Sequence, residues 1–290
     1  DWLIFQMTGE WALDHSTATT THLQDQVAGC YHQPFLDLLG LPEHKLSRLV
    51  RSGKQVGQLG KAAAEATGLR RGTPVVSGSF DHPAAARAVG VLRPGELMLS
   101  CGTSWVGFTP GHVRQQLLDA GLLCDPFLAM DGGPWAGMFS VPEIGRTIDS
   151  YVREVIAPGQ ADPYAVFNEA AGSASPGSDG LVIDLQSPVV KPDATRENIS
   201  RAVMEAAARL IAAKLRELGA RGFSFSEAVI VGGPSRSKAW SEIIARTTGL
   251  ELSIGTVHSG ATGAAVLAGI GAGIFARSEE RRVGKECATG

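Results

Sequence analysis

The longest periodic stretch of the chain is "TRENISRAVMEAAARLIAAKLRELGA", where Ile199, Val203, Ala206, Leu210, Ala213 and Leu218 recur at helical spacing. This pattern predicts one long helix with a single apolar face. Shorter helical spacings come earlier. Leu3, Ile4 and Met7 share a face that stops at Gly9, and "KAAAEATGL" stops at Gly68. "PFLDLLGLP" and "HKLSRLV" read as short helical pieces parted by Gly40 and Pro42, while Asp14, Ser16 and Thr17 offer caps for another helix. "TPVVSG" predicts a buried strand. "DHPAAARAVGVL" then starts a helix with Asp81 as its capping residue and Pro83 in its first turn.

From about Arg93 the pattern turns towards strands. "GELMLSCGTSWVGFTP" predicts two strands around a Gly-Thr-Ser turn, and "LLDAGLLCDPFLAMDGGPWAGMFS" a mixture of strands and turns. "PEIGRTIDSYVREVI" predicts a helix and "AAGSASPGSDG" a polar, flexible connector. Beyond the long helix, "FSEAVIVGG" and "LELSIG" predict strands, with "SKAWSEIIARTTG" and residues 260–273 as helices. Strands that alternate with helices imply an α/β architecture. Residues 277–290 are densely charged and aperiodic, so a disordered or non-native end is expected there.

Composition narrows the function classes. A chain of 290 residues has room for two domains or one large one. Its net charge of −3 provides neither the basic surface expected of a nucleic-acid binder nor a polybasic membrane signal. Cys30, Cys101, Cys124 and Cys287 are scattered without a CxxC pair, so reduced thiols in a cytoplasmic protein are the expectation. "GATGAAVLAGIGAGIFA" is too short and too glycine-rich for a membrane span and reads as a buried helix. No signal peptide opens the chain, and its first residue is Asp1, which leads to the expectation of a fragment whose beginning lies elsewhere.

Three apolar runs end in glycine, at Gly78, Gly102 and Gly232–Gly233. Such turns let a backbone approach a ligand closely and offer N–H groups to phosphate oxygens at the carboxyl ends of strands. Asp81 follows the first turn and Thr103 lies in the second. On local chemistry Asp81 fits a helix cap, the commoner role, and also a proton acceptor. Competing motifs are missing: "GIGAG" ends a helix rather than following a strand, so an NAD-dependent oxidoreductase lacks its fingerprint. "RVGKEC" is not a phosphate-binding P-loop, "CGTSWVG" lacks the nucleophile-elbow spacing, and no histidine pair forms H-E-x-x-H.

In order along the chain, six segments resemble the FGGY family of carbohydrate kinases, relatives of xylulokinase and glycerol kinase. They are "DWLIFQMTGEWALDHSTAT", "VVSGSFDHPAAARAVG", "SCGTS", "NISRAVMEA", "VIVGGPSRSKAWSEIIARTTGL" and "GATGAAVLAGIGAG". The resemblance implies the actin/hexokinase-like (ribonuclease H-like) ATPase fold, with an incomplete first domain and a complete second one. Residues 1–92 would be the carboxyl-terminal part of the sugar-binding domain and 93–276 the ATP-binding domain. It implies Asp81 as the general base for the attacking hydroxyl, with His82 beside it against the sugar. Gly102, Thr103, Gly232, Gly233 and Pro234 would hold ATP, with Mg²⁺ bridging its phosphates and no dedicated protein metal site. The implied partners are a sugar or polyol and ATP, without nucleic acid or membrane; the oligomeric state stays open, a homodimer included.

Four departures from the family pattern matter. Its amino-terminal D-x-G-[ST] segment is absent, so the 290-residue chain alone is expected to release no ADP in a sugar-dependent coupled assay. His82 stands where relatives usually have Asn or Gln, and its titratable ring is expected to shift substrate choice. Pro234 removes one N–H donor after the double glycine, and His258 stands where many relatives have Glu. A non-catalytic nucleotide- or sugar-binding protein on the same scaffold is the second reading.

Overall fold

The computed structural model describes residues 1–111, 113–185, 194–256 and 258–276. The charged segment 277–290 lies outside them. Six of the described strands form one central sheet, in the order Glu251–Ile254, Glu227–Gly232, Met98–Cys101, Trp105–Gly111, Trp135–Val141 and Leu123–Asp125. The first three run parallel and the others join antiparallel. Alternation along a strand sends successive side chains to opposite faces. Leu97, Leu99 and Cys101 therefore enter one core, while Met98 enters a second core on the other face with Phe108, Met138 and Val231.

The first face is covered by the helices Pro163–Ser173, Arg196–Gly219 and Lys238–Thr248, whose Phe167, Val203, Met204, Ile211, Trp240 and Ile244 fill that core. Arg196–Gly219 is the predicted long helix, capped by the Thr195 hydroxyl, which accepts from the Asn198 N–H at 3.2 Å. Its burial is wider than the predicted stripe. Ala202, Met204, Ala207, Ala208 and Ile211 are buried too, whereas Ala213 is exposed and Leu210 only half-buried. Neighbouring helices flank it on both sides, so its first two-thirds has little solvent face.

The second face receives the helix Asp81–Ala88 through Ala85, Ala86 and Ala88. That helix also crosses the last helix, Ser259–Gly271, so closely that a Cβ on Gly263 would overlap the Ala84 carbonyl oxygen. The small residues in both segments are what permit this approach. A smaller core in the first ninety residues gathers Ala12, Val50, Val56, Leu59 and Val75 under the helices Trp2–Thr8 and Lys61–Thr67. These two helices end on Gly9 and Gly68, each left-handed, as their spacing predicts.

Further segments differ from the sequence expectation. The helix Ser259–Gly271, expected to be buried, leaves Ala261, Ala264, Ala265 and Ala268 exposed. "HKLSRLV" contains a strand, Arg48–Val50, which pairs in parallel with Ala12–Asp14. Tertiary pairing overrides the helical spacing there. The connector "AAGSASPGSDG" begins inside the Pro163–Ser173 helix and is then pinned. The Gly177 N–H donates to Glu205 at 2.9 Å, Glu205 pairs with Arg201 at 2.9 Å, and Arg201 donates to the Ala174 carbonyl at 3.0 Å.

Candidate active site

Parallel pairing puts Gly232 directly beside Cys101, so the turns Gly102–Thr103 and Gly233–Pro234 leave adjacent strands at the same carboxyl edge. Only glycine suits position 232: its φ is 96°, and a Cβ would stand 2.5 Å from the Cys101 carbonyl oxygen. A cleft of about 690 Å³ opens over these turns, lined by Gly102, Thr103, Gly233 and Pro234 but not by Gly232. Its wall includes Trp105 and Trp240, whose ring centroids are 5.2 Å apart and whose side chains are buried in the adjoining core. Trp240 is thus both core and cleft wall.

Several lining residues carry no motif that singles them out. Gly145 donates its N–H to the Thr103 carbonyl at 2.8 Å, and a Cβ there would overlap the Gly102 carbonyl oxygen. It fixes the outline of the Gly102–Thr103 turn from the next element. Asp149 accepts from Arg153 at 2.8 Å and from the Tyr164 hydroxyl at 2.9 Å. Burial and the bond to Asp149 push the Tyr164 hydroxyl up to about 12. Arg146 and Arg236 bring two cations to the same cleft. An isolated glycine at the start of a helix was the one available sequence signal, at Gly145; the others needed the fold.

Asp81 and His82 lie outside that lining. Helical geometry starts at Asp81 itself and Phe80 takes the cap position, so the expectation of Asp81 as the cap is corrected. From the first helical position its carboxylate accepts from the N–H of His82 at 2.7 Å, and its side chain is 69% exposed. His82 Nε2 is 3.8 Å from Asp81 Oδ1. Burial lowers the pKa of His82 and the Asp81 carboxylate opposes that. The ring is therefore neutral at pH 7.

Beneath Asp81 is a buried polar cluster with no counterpart in the sequence expectations. Arg87 and Asp125 are both fully buried. Asp125 accepts from the Ser16 hydroxyl at 2.8 Å and from the Phe127 N–H at 2.8 Å. Arg87 donates to the Pro83 carbonyl at 3.1 Å and to the Phe127 carbonyl at 3.0 Å, with its guanidinium 4.4 Å above the Phe127 ring. Asp14, also buried, caps the short helix His15–Ala18 by accepting from the Thr17 N–H at 2.8 Å. Lone charges within "PAAARAVG" and "LLCDPF" were the signal, but charged residues are ordinarily placed on the surface.

Burial pushes the Asp125 carboxyl up to about 6, with Ser16, Phe127 and Arg87 partly opposing. Between the ordinary value of 3.8 and about 6 the folded chain binds more protons than the unfolded one, so this group's contribution falls as pH rises and is flat above that window. The difference in unfolding free energy between the parent and Asp125→Asn should change by on the order of 3 kcal/mol across the window. Urea denaturation from pH 3.5 to 7.5 checks this; a pH-independent difference would place the carboxylate in a solvated site.

Comparison with known proteins decides the family. Residues 1–88 match the amino-terminal domain model of the FGGY family of carbohydrate kinases, and residues 74–272 match its carboxyl-terminal domain model. The chain belongs to the FGGY family. Among curated FGGY proteins it is similar to an autoinducer-2 kinase of Escherichia coli (strain K12), at 32% identity over 97% of this chain and 57% of that protein. The autoinducer-2 kinase of Salmonella paratyphi A is 29% identical over 95% of this chain and 56% of its own length. The chain thus spans little more than half of these relatives. Solved structures share the fold: xylulose kinase from Rhodospirillum rubrum (23% identity, TM-score 0.78) and gluconate kinase from Lactobacillus acidophilus (18%, 0.83). Each aligns over 98% of this chain and 60% of the other. The actin/hexokinase-like fold expected of an FGGY kinase is therefore present. None of its described helices is long and apolar enough to cross a membrane, and Cys30, Cys101 and Cys124 are unbridged.

Proposed function

We propose that this chain carries the nucleotide cleft and the general base of an ATP-dependent kinase that phosphorylates a hydroxyl of a sugar or polyol. The observation that supports this most is the pairing of the Gly102–Thr103 and Gly233–Pro234 turns on adjacent parallel strands over one cleft. Strand-end glycines with N–H groups and the Thr103 hydroxyl suit phosphate oxygens, and the Trp105–Trp240 wall suits a base or ribose. On this reading residues 93–276 form the ATP-binding domain and residues 1–92 part of the sugar-binding one.

Asp81 is the proposed base. Phosphoryl transfer asks a protein mainly for positioning and charge neutralisation, plus one acceptor for the proton of the attacking hydroxyl. An exposed carboxylate at the start of a helix packed on the ATP-side sheet is accessible to the hydroxyl of an acceptor sugar. His82, neutral at pH 7, offers one donor and one acceptor to a neighbouring sugar hydroxyl and is the proposed determinant of substrate choice.

Among the described residues no three metal-ligating side chains cluster. Mg²⁺ keeps most of its waters and is commonly held by substrate phosphates with one or two carboxylates. When bound it would neutralise phosphate charge; the chain's own part is to seat the phosphates on Gly102, Thr103 and Gly233. The test is acceptor-dependent ADP release by a protein carrying this chain against autoinducer-2, xylulose, gluconate and glycerol, the first being the acceptor that the names of the curated relatives suggest. Binding of ATP without turnover on any acceptor would favour the non-catalytic reading.

A further inference from the structure

The four groups under Asp81 form a chain with a fixed direction. Arg87 Nη1 donates to Ser79 Oγ at 3.5 Å, Ser79 Oγ donates to Ser16 Oγ at 3.1 Å, and Ser16 Oγ donates to Asp125 Oδ2 at 2.8 Å. A guanidinium can only donate and a carboxylate can only accept, so the two ends set the sense of every hydroxyl between them. Ser16 also accepts from the Phe80 N–H at 3.2 Å. Its single donor and both its lone pairs are then in use. Ser79 and Phe80 are the two residues immediately before Asp81, and Ser16 holds both of them.

The segments joined in this way are remote in sequence: the helix start at 15–16, the turn at 79–81 and the turn at 125–127. Asp125 in turn fixes the last of these through the Phe127 N–H, and Phe127 is held at φ 33°, a left-handed conformation that costs a bulky residue strain. Strain of that kind persists only where the surroundings over-determine it. Among the described residues the Asp81 carboxylate's hydrogen bond is to the His82 N–H, local to the helix start.

We propose that Ser16 is a positioning residue for Asp81, fixing the backbone from which its carboxylate projects through the directed relay Arg87–Ser79–Ser16–Asp125. The inference rests on the reading of Asp81 as the base, and it assigns to Ser16 a role beyond that of a candidate helix cap.

His82 reports on the carboxylate from 3.8 Å, so its imidazole titration, followed by NMR in the 290-residue chain, reads the geometry without turnover. In the parent background Asp81→Asn lowers the His82 pKa by removing the adjacent negative charge. In a Ser16→Ala background the same substitution should produce a clearly smaller shift, because the entry to the helix start that carries both Asp81 and His82 is no longer pinned. Ser16→Thr, which keeps the hydroxyl, should restore the full shift. An equal Asp81→Asn shift in the parent and Ser16→Ala backgrounds would overturn the proposal, as would a Thr variant that behaves like Ala. If Ser16→Ala fails to fold, Ser79→Ala breaks the relay one link earlier and is read in the same way. The cycle is independent of catalysis: an Asp81→Asn enzyme with parental turnover would remove the base assignment and leave the His82 coupling standing.

Discussion

Asp81→Asn, at the proposed base, should lower the kcat of the kinase by roughly 10²–10⁴-fold, the usual contribution of a positioned general base. The substitution is close to isosteric, and its amide oxygen can still accept the His82 N–H that the carboxylate accepts at 2.7 Å. Asp81 does not cap its helix through its side chain, and that side chain is largely exposed, so folding stability should stay within about 0.5 kcal/mol of the parent. The KM for ATP should also hold, because Asp81 is not part of the cleft lining that contains Gly102 and Gly233. A loss confined to kcat, measured alongside an unchanged denaturation midpoint, identifies an interaction made only in the transition state. An Asn variant with parental kcat would reduce Asp81 to a residue of the helix's first turn.

Arg87→Met is expected to cost the most stability, roughly 3–5 kcal/mol, the usual scale when a buried charge is removed from groups left without its hydrogen bonds. Methionine fills much of the volume but donates nothing. The carbonyls of Pro83 and Phe127 lose the donors at 3.1 and 3.0 Å, and the Phe127 ring loses the cation above it. Arg87 also lowers the acid strength threshold of Asp125, so without it that carboxyl titrates higher still. The deficit should therefore be larger at pH 7.5, where Asp125 must ionise without its cation, than at pH 4.5. Arg87→Lys should recover only part of it, since a compact ammonium lacks the planar fork that reaches both carbonyls while lying over the Phe127 ring. Equal midpoints for parent and Met variant in guanidinium would show that the guanidinium contributes little.

What could be read in the sequence was local. Period-two alternation around the Gly-Thr-Ser turn gives the hairpin Met98–Cys101 and Trp105–Gly111, and helical spacing with glycine stops gives the helices ending at Gly9, Gly68 and Gly249. The order of motifs gives the family. Long-range pairing was not readable: nothing in "LMLSCG" or "VIVGG" alone says that these strands lie side by side, although that contact builds the cleft. Gly145 belongs to the same class, because its role comes from a carbonyl on a different element. Arg87 and Asp125 were missed for another reason. A charge on a small-residue helix is normally solvated, and only the fold reveals that three remote segments bury these two together.

The most direct measurement is a calorimetric titration of ATP with Mg²⁺ into the 290-residue chain and into its Gly145→Ala variant. A cleft built on the glycine turns predicts saturable single-site heat for the parent. It also predicts an affinity at least about tenfold weaker in the variant, equivalent to about 1.4 kcal/mol, because the added Cβ displaces the Gly102 carbonyl. No saturable heat with the parent chain, or equal affinity in the two, would contradict the assignment of this cleft to the nucleotide.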